Sequence, residues 1–156
     1  AFTETQSLGN SVSAGVALGD LDGDGDLDAL VANSDGQADR VWLNDGAGGF
    51  NDSGQSLGSS SSWCVALGDV DGDNDLDAFV AKHSSQANTV WVNDGTGVFA
   101  EAQGLGSSDS RGVALGDLDG DGDLDAFVAN YGSQANKVWL NLDQAVYLPL
   151  VLRSFP

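Results

Sequence analysis

Methionine is absent from the 156-residue chain, proline occurs twice, and cysteine and histidine occur once each. A lone Cys64 excludes a disulfide within the chain. A thiol beside an apolar strand is expected to be buried, with an intermolecular disulfide as the minority alternative. Only five basic residues are present, Arg40, Lys82, Arg111, Lys137 and Arg153, and they are scattered. No basic stripe exists to neutralise phosphates, which argues against nucleic acid and anionic membranes as partners. The longest apolar run, Ala145 to Leu152, is interrupted by Pro149. It falls far short of the roughly 20 residues a membrane helix needs, so no membrane span is expected. The chain starts at Ala1 without methionine, which is read as a processed or trimmed terminus compatible with secretion.

What the chain has in excess is aspartate. Acidic residues number 24, the formal charge is −19, and 41% of residues are hydrophobic, enough to build a core in one domain. Fifteen of the 24 lie in three near-identical stretches, DLDGDGDLD from Asp20, DVDGDNDLD from Asp69 and DLDGDGDLD from Asp117. Two carboxylates about 4 Å apart repel by roughly 4 kcal/mol at an effective dielectric of 20. Loops of this kind oppose folding unless a cation neutralises them.

The stretches belong to a longer repeat. VALGD recurs at Val16, Val65 and Val113, and VWLN, VWVN and VWLN recur at Val41, Val90 and Val138, with spacings of 49 and 48 residues. A unit of that length divided into four short apolar segments matches a four-stranded propeller blade. The fold class expected is therefore all-β, a β-propeller of four-stranded blades, three per chain, with units near 10–58, 59–106 and 107–143. In the first unit strand A is expected over 15–19, B over 29–33, C over 40–44 and D over 49–56. Trp42, Trp91 and Trp139 recur at one position of strand C and are assigned to packing between blades rather than to a ligand platform. The N-terminal AFTETQSLG matches FNDSGQSLG and FAEAQGLG, so the chain is expected to begin with a strand D and to end with an A-B-C set. Residues 144–156 form an apolar tail, read as an extra strand or a junction segment. Since four to eight blades make a ring, three are expected to need another chain. The expectation is a six-bladed homodimer in which the first strand of each copy completes the last blade of its partner, with a fragment of a longer chain, or a partial propeller capped by its own tail, as the alternative.

Each acidic stretch reads D-x-D-x-D-G-x-x-D. Hard divalent cations take oxygen ligands, and calcium takes 6 to 8 of them. Positions 1, 3 and 5 can turn carboxylates toward one centre, position 6 bends sharply, position 7 offers its carbonyl and position 9 closes the shell. This assigns Asp20, Asp22, Asp24, Asp26 and Asp28 to the first site. The second takes Asp69, Asp71, Asp73, Asp75 and Asp77, and the third Asp117, Asp119, Asp121, Asp123 and Asp125. Asn74 stands where the other loops have glycine, and it tolerates a left-handed backbone better than most residues. The second site is therefore expected to survive with weaker binding. An EF-hand is excluded because position 12 holds Val31, Val80 and Val128 and strands flank the loop. Transition metals are excluded by the lack of thiolate or imidazole ligands in the loops, and magnesium is the alternative, one that would keep more waters and demand stricter geometry. About three Ca2+ per chain are expected, in a structural role.

GDLDGDGDLDALVAN together with VWLNDGAGGF resembles the FG-GAP or VCBS repeat family, the calcium-bearing blades of integrin α-subunit propellers and of many secreted bacterial proteins. The resemblance covers roughly residues 1–143. It implies calcium in the A-B loop of each blade and an extracellular or cell-surface location.

Alternating strands put the A-B and C-D loops on one side of the blades and the B-C and D-A loops on the other. On the second side the repeat varies: Ala14, Trp63 and Arg111 are equivalent, as are Ser34, His83 and Tyr131. Trp63, His83, Arg111 and Tyr131 are candidate anchors for a glycan or protein ligand, set against drift on unconstrained loops. The constant Gln37, Gln86 and Gln134 are expected to satisfy loop backbone. His83 is the only histidine and no nucleophile triad or positioned acidic pair is evident, so no enzymatic activity is expected. The function expected is a calcium-stabilised binding module for recognition or adhesion, lectin-like in one form. The alternative is a purely structural element of a surface or secreted complex.

Overall fold

The computed structural model describes residues 1–59 and 61–142. The tail assigned to 144–156 lies outside the described residues. The described residues form eleven strands: β1 (Ser13–Gly19), β2 (Asp28–Asn33), β3 (Arg40–Asn44), β4 (Phe50–Asp52), β5 (Ser62–Gly68), β6 (Asp77–Lys82), β7 (Gln86–Asn93), β8 (Phe99–Ser108), β9 (Ser110–Gly116), β10 (Asp125–Asn130) and β11 (Lys137–Trp139). No helix occurs among them. They make three antiparallel sheets, β1-β2-β3-β4, β5-β6-β7-β8 and β9-β10-β11. Strands A, B and C stand close to where the repeat puts them, with β1 starting two residues early and β2 one.

The registers of the first two sheets coincide position for position. Leu18 faces Ala29 and Trp42 faces Ala29 from the other side in the first sheet; Leu67, Ala78 and Trp91 repeat the pattern in the second. Strand D is the exception. It was expected over 49–56 but β4 covers only Phe50–Asp52, after which Leu57 makes an isolated bridge to Asp39. One extra residue lies between Phe50 and Leu57 compared with Phe99 and Leu105. Gly54 takes a φ of 80° there, its N–H held by the Asp52 carboxylate, and the ladder breaks at that bend.

Residues 1–12 form no strand, which departs from the expected opening strand D. A strand needs a neighbour's backbone, and this segment forms a ladder with no described strand. Its anchorage nevertheless follows the repeat. The Gln6 side chain donates to the Phe50 carbonyl at 2.7 Å and accepts from the Phe50 N–H at 2.9 Å. Gln55 serves the next sheet likewise, donating to the Gly97 carbonyl and accepting from the Phe99 N–H.

The sheets stack through apolar faces. Leu30, Ala32 and Val41 of the first sheet meet Val65, Ala78, Val80, Trp91 and Phe99 of the second, with Leu21 and Leu57 closing the cluster. The other face of the second sheet, Phe79 and Val90, meets Val113, Leu115, Ala126, Val128 and Trp139 of the third. The central strand β6 is consequently buried at all six positions, which is why DAFVAK shows no polar alternation. At the third sheet Phe127 is 43% exposed while Val128 is fully buried, because only one face of β10 is covered. The recurring tryptophans behave as packing groups: Trp91 and Trp139 lie in the two junctions, and Trp42 lines an open cleft on the first sheet. Cys64 is half-buried, short of the full burial expected.

β5 packs against both β1 and β9, so the A strands run side by side along the inner edge of the stack. No described strand covers the outer faces of the first and third sheets, and the described residues do not close a ring.

Candidate metal centres and the opposite surface

Each acidic loop leaves an A strand and returns into a B strand. Its fold is set by its own aspartates. In the first loop the N–H groups of Gly23 and Gly25 donate to the two oxygens of Asp20, at 2.8 and 3.0 Å. Those of Asp24 and Asp26 donate to Asp22 and Asp24. The same four bonds recur in the second loop and in the third. Position 6 requires a left-handed backbone, with φ of 92° at Gly25 and 102° at Gly122. Asn74 adopts 75° and donates to Asp69 at 3.0 Å as the glycines do, so the second loop keeps the shape of the others.

The ninth position ties the loop to the sheet. Asp28, fully buried, accepts from the Leu21 N–H at 2.8 Å and the Asn44 N–H at 2.7 Å. Asp77 accepts from Val70 and Asn93, and Asp125 from Leu118 and Asn141. Each therefore locks the A-B loop to the end of strand C.

Carboxylate oxygens of positions 1, 3 and 9 converge. Asp20, Asp22 and Asp28 bring one oxygen each within 4.8 Å of one another, as do Asp69, Asp71 and Asp77, and Asp117, Asp119 and Asp125. Asp24, Asp73 and Asp121 are outside these closest sets and accept loop N–H groups instead. Asp26, Asp75 and Asp123 occupy position 7, where the expected ligand is the carbonyl. The carboxylates of Asp26 and Asp75 lie against Gly46 and Gly95, which puts the C-D hairpins at the same end as the acidic loops. Desolvation, joined by neighbouring carboxylates, raises the pKa of Asp22, Asp71 and Asp119 above the ordinary carboxylate value. Burial likewise raises Asp77. Three carboxylate oxygens held this close together are a donor set that suits a hard divalent cation.

At the other end of the sheets the constant glutamines act as expected. The side-chain oxygens of Gln37, Gln86 and Gln134 accept the N–H groups of Val12, Ser61 and Asp109, tying each B-C loop to a D-A segment. On this uniform frame the four candidate anchors come together. The Arg111 guanidinium lies 4.1 Å from the Trp63 ring centre and 5.0 Å from that of Tyr131. His83 meets Trp63 edge to face at 5.4 Å, and its Nδ1 pairs with the Ser84 hydroxyl at 2.7 Å. Trp63 and Tyr131 are 38% and 63% exposed, so the cluster presents aromatic surface to solvent.

Sequence reasoning missed Asp109, which pairs with Arg111 at 3.2 Å and holds Tyr131 through its backbone carbonyl. The signal available was an acid two residues before the arginine in a loop otherwise poor in charge. It also missed a buried pair between sheets. Asp39 accepts from the Asn33 N–H and the Ser62 hydroxyl, both at 2.8 Å, and burial raises its pKa to about 6. Lys82 of the next sheet faces it electrostatically, donates to Thr89, and has its own pKa lowered by burial.

Among the described residues no helix is long and apolar enough to cross a membrane. No curated protein and no solved structure matches the chain. The FG-GAP-like repeat does match, over residues 20–80 and 69–128. With its period, its antiparallel sheets and its three aspartate loops, the chain belongs to the FG-GAP-like repeat family.

Proposed function

We propose that this chain is a calcium-stabilised, β-propeller-like module of an extracellular recognition or adhesion protein. Calcium would be held in each A-B loop by Asp20, Asp22 and Asp28, by Asp69, Asp71 and Asp77, and by Asp117, Asp119 and Asp125, with the remaining loop aspartates completing the shells. Its charge would remove the repulsion among these carboxylates and fix the loops against the strand C ends. The observation that carries this reading is the division between the two ends: one end repeats a cation-type donor set three times. The other gathers Trp63, His83, Arg111 and Tyr131 from separate loops into one exposed cluster.

The ligand face proposed is that cluster, and its chemistry suits a sugar ring or a planar protein side chain stacked on Trp63 or Tyr131. Its role is binding rather than catalysis. A glycan array with calcium, with chelator, and with Trp63→Ala tests this. Specific sugars that bind with calcium and are lost in both other arms support it. An array without signal removes the lectin form.

A second reading is favoured by one observation. Arg111 is already paired to Asp109 and stacked between two rings, so the cluster can serve as a clasp between the second and third sheets with no ligand. In that case Trp63→Ala lowers thermal stability and no ligand is found.

A further inference from the structure

The two internal junctions of the chain are built alike, and their construction recurs at the open ends. At the first junction Gly19 leaves room for two leucines of the next sheet. A Cβ on it would meet Leu76 Cδ1 at 2.5 Å and Leu67 Cδ1 at 3.1 Å. At the second junction a Cβ on Gly68 would meet Leu124 Cδ1 at 2.6 Å and Leu115 Cδ1 at 3.2 Å. On the third glycine of the series, Gly116, a Cβ would meet no described residue within 4 Å. The leucines that open the series, Leu18 and Leu27, are 58% and 56% exposed on the far side of the molecule.

A polar contact follows the same rule. The Asn93 amide donates to the Leu21 carbonyl of the preceding sheet at 2.8 Å, and the Asn141 amide donates to the Val70 carbonyl at 2.7 Å. The first of the three asparagines, Asn44, donates only within its own sheet, to Leu27 at 3.1 Å. The last of the three carbonyls belongs to Leu118, whose side chain is 51% exposed where Leu21 is 1% exposed. The apolar faces match too. Val16, Leu18, Ala29, Val31 and Trp42 line an open cleft, and their equivalents Val65, Leu67, Ala78, Val80 and Trp91 lie in the first junction. Phe127 and Val138, exposed on the third sheet, correspond to Leu30 and Val41, which are fully buried.

We propose that a second copy of this chain docks head to tail. Leu18 of the partner subunit and Leu27 of the partner subunit pack over Gly116, and Asn44 of the partner subunit donates to the Leu118 carbonyl. The first sheet of each copy thereby covers the third sheet of the other. Two such junctions bring six sheets together around the inner A strands, within the range at which propellers close, whereas three sheets fall below it and nine exceed it. The occupant is a second copy because its surface already exists in the chain as a packed junction, repeated twice with the same groups.

Light scattering of the purified chain in calcium, from micromolar to near-millimolar concentration, tests this. The expected mass is twice the 15.9 kDa of one chain. Gly116→Leu fills the gap over the third sheet, where a Cβ meets no described residue within 4 Å, and Leu18→Glu spoils the first. Each variant alone is expected to fall to a single-chain mass with unchanged circular dichroism, and an equimolar mixture is expected to recover pairs through its one intact junction. Leu27→Asp, an exposed loop position, replaces Leu18→Glu should that variant not fold. A wild-type chain that stays single, one that grows into open-ended assemblies, or a Gly116→Leu variant that remains paired overturns the proposal.

Discussion

At one end of the sheet stack the chain repeats itself three times; at the other it does not. The acidic loops share five aspartates, the same set of backbone bonds and the same left-handed sixth position even where Asn74 replaces glycine. The B-C and D-A loops share a glutamine frame but place Ala14, Trp63 and Arg111, or Ser34, His83 and Tyr131, at equivalent points. Both ends stand on the same strands, so the scaffold cannot be the source of the difference. Repeated groups are those that each blade needs in order to fold, since every loop faces the same carboxylate repulsion. Groups that differ are released from that demand, which leaves one site free to specialise.

The strongest way to break the comparison is to withhold the proposed calcium. At 100 times its dissociation constant a ligand contributes roughly 2.7 kcal/mol per site, so three sites approach ~8 kcal/mol. Chelation is expected to lower the melting temperature by at least about 15 °C, read by circular dichroism with and without EDTA. A melting temperature that does not move would end the calcium assignment.

Next in size is the buried anchor of the loop. Asp77→Ala leaves the N–H groups of Val70 and Asn93 without their acceptor and is expected to cost about 3 kcal/mol in urea unfolding. The loss should appear even in chelator, because it concerns backbone bonds rather than the ion.

At the opposite end Asp39 occupies a place that Asn88 and Asn136 take in the other sheets, where their side-chain oxygens accept the N–H groups of Lys82 and Asn130. Its folded pKa of about 6 lies above the ordinary 3.8, so the folded state holds the proton more tightly. The stability this contributes is fully present below about pH 4 and is lost as pH rises through 6. Asp39→Asn removes the charge and keeps one acceptor oxygen, for the Asn33 N–H, while its amide nitrogen meets the Ser62 hydroxyl as a donor. The wild type is therefore expected to fall relative to the variant by about 1–3 kcal/mol between pH 4 and 7, measured as paired melts. The loop aspartates, common to both proteins, cancel from that difference.

The smallest effect sharpens the loop side. Asn74→Gly relieves a non-glycine residue at φ 75° and is expected to stabilise by roughly 0.5 kcal/mol. Calcium titration should then show the second loop binding as tightly as the others; a weaker second site in the variant would place the cause elsewhere.

Much of this was legible in the chain. The 48 to 49 residue period gave the three sheets, and the apolar runs DALVAN, DAFVAK and DAFVAN gave their B strands, of which only the central one is buried at every position. The aspartate spacing gave the loops, and the constant glutamines gave their role. Strand D was harder to read, because one added residue at Gly54 shortened β4 and the opening segment found no strand to pair with.

What the sequence by itself determined was local: loop shape, strand identity and the sidedness of the loops, all fixed by backbone sterics and bonds spanning a few residues. Only the tertiary structure decided that Arg111 would lie between Trp63 and Tyr131, that Asp39 would face Lys82, and that described leucines would crowd Gly19 and Gly68 but not Gly116. Those relations join groups that are tens of residues apart in most cases, and they exist only once one sheet has packed upon the next.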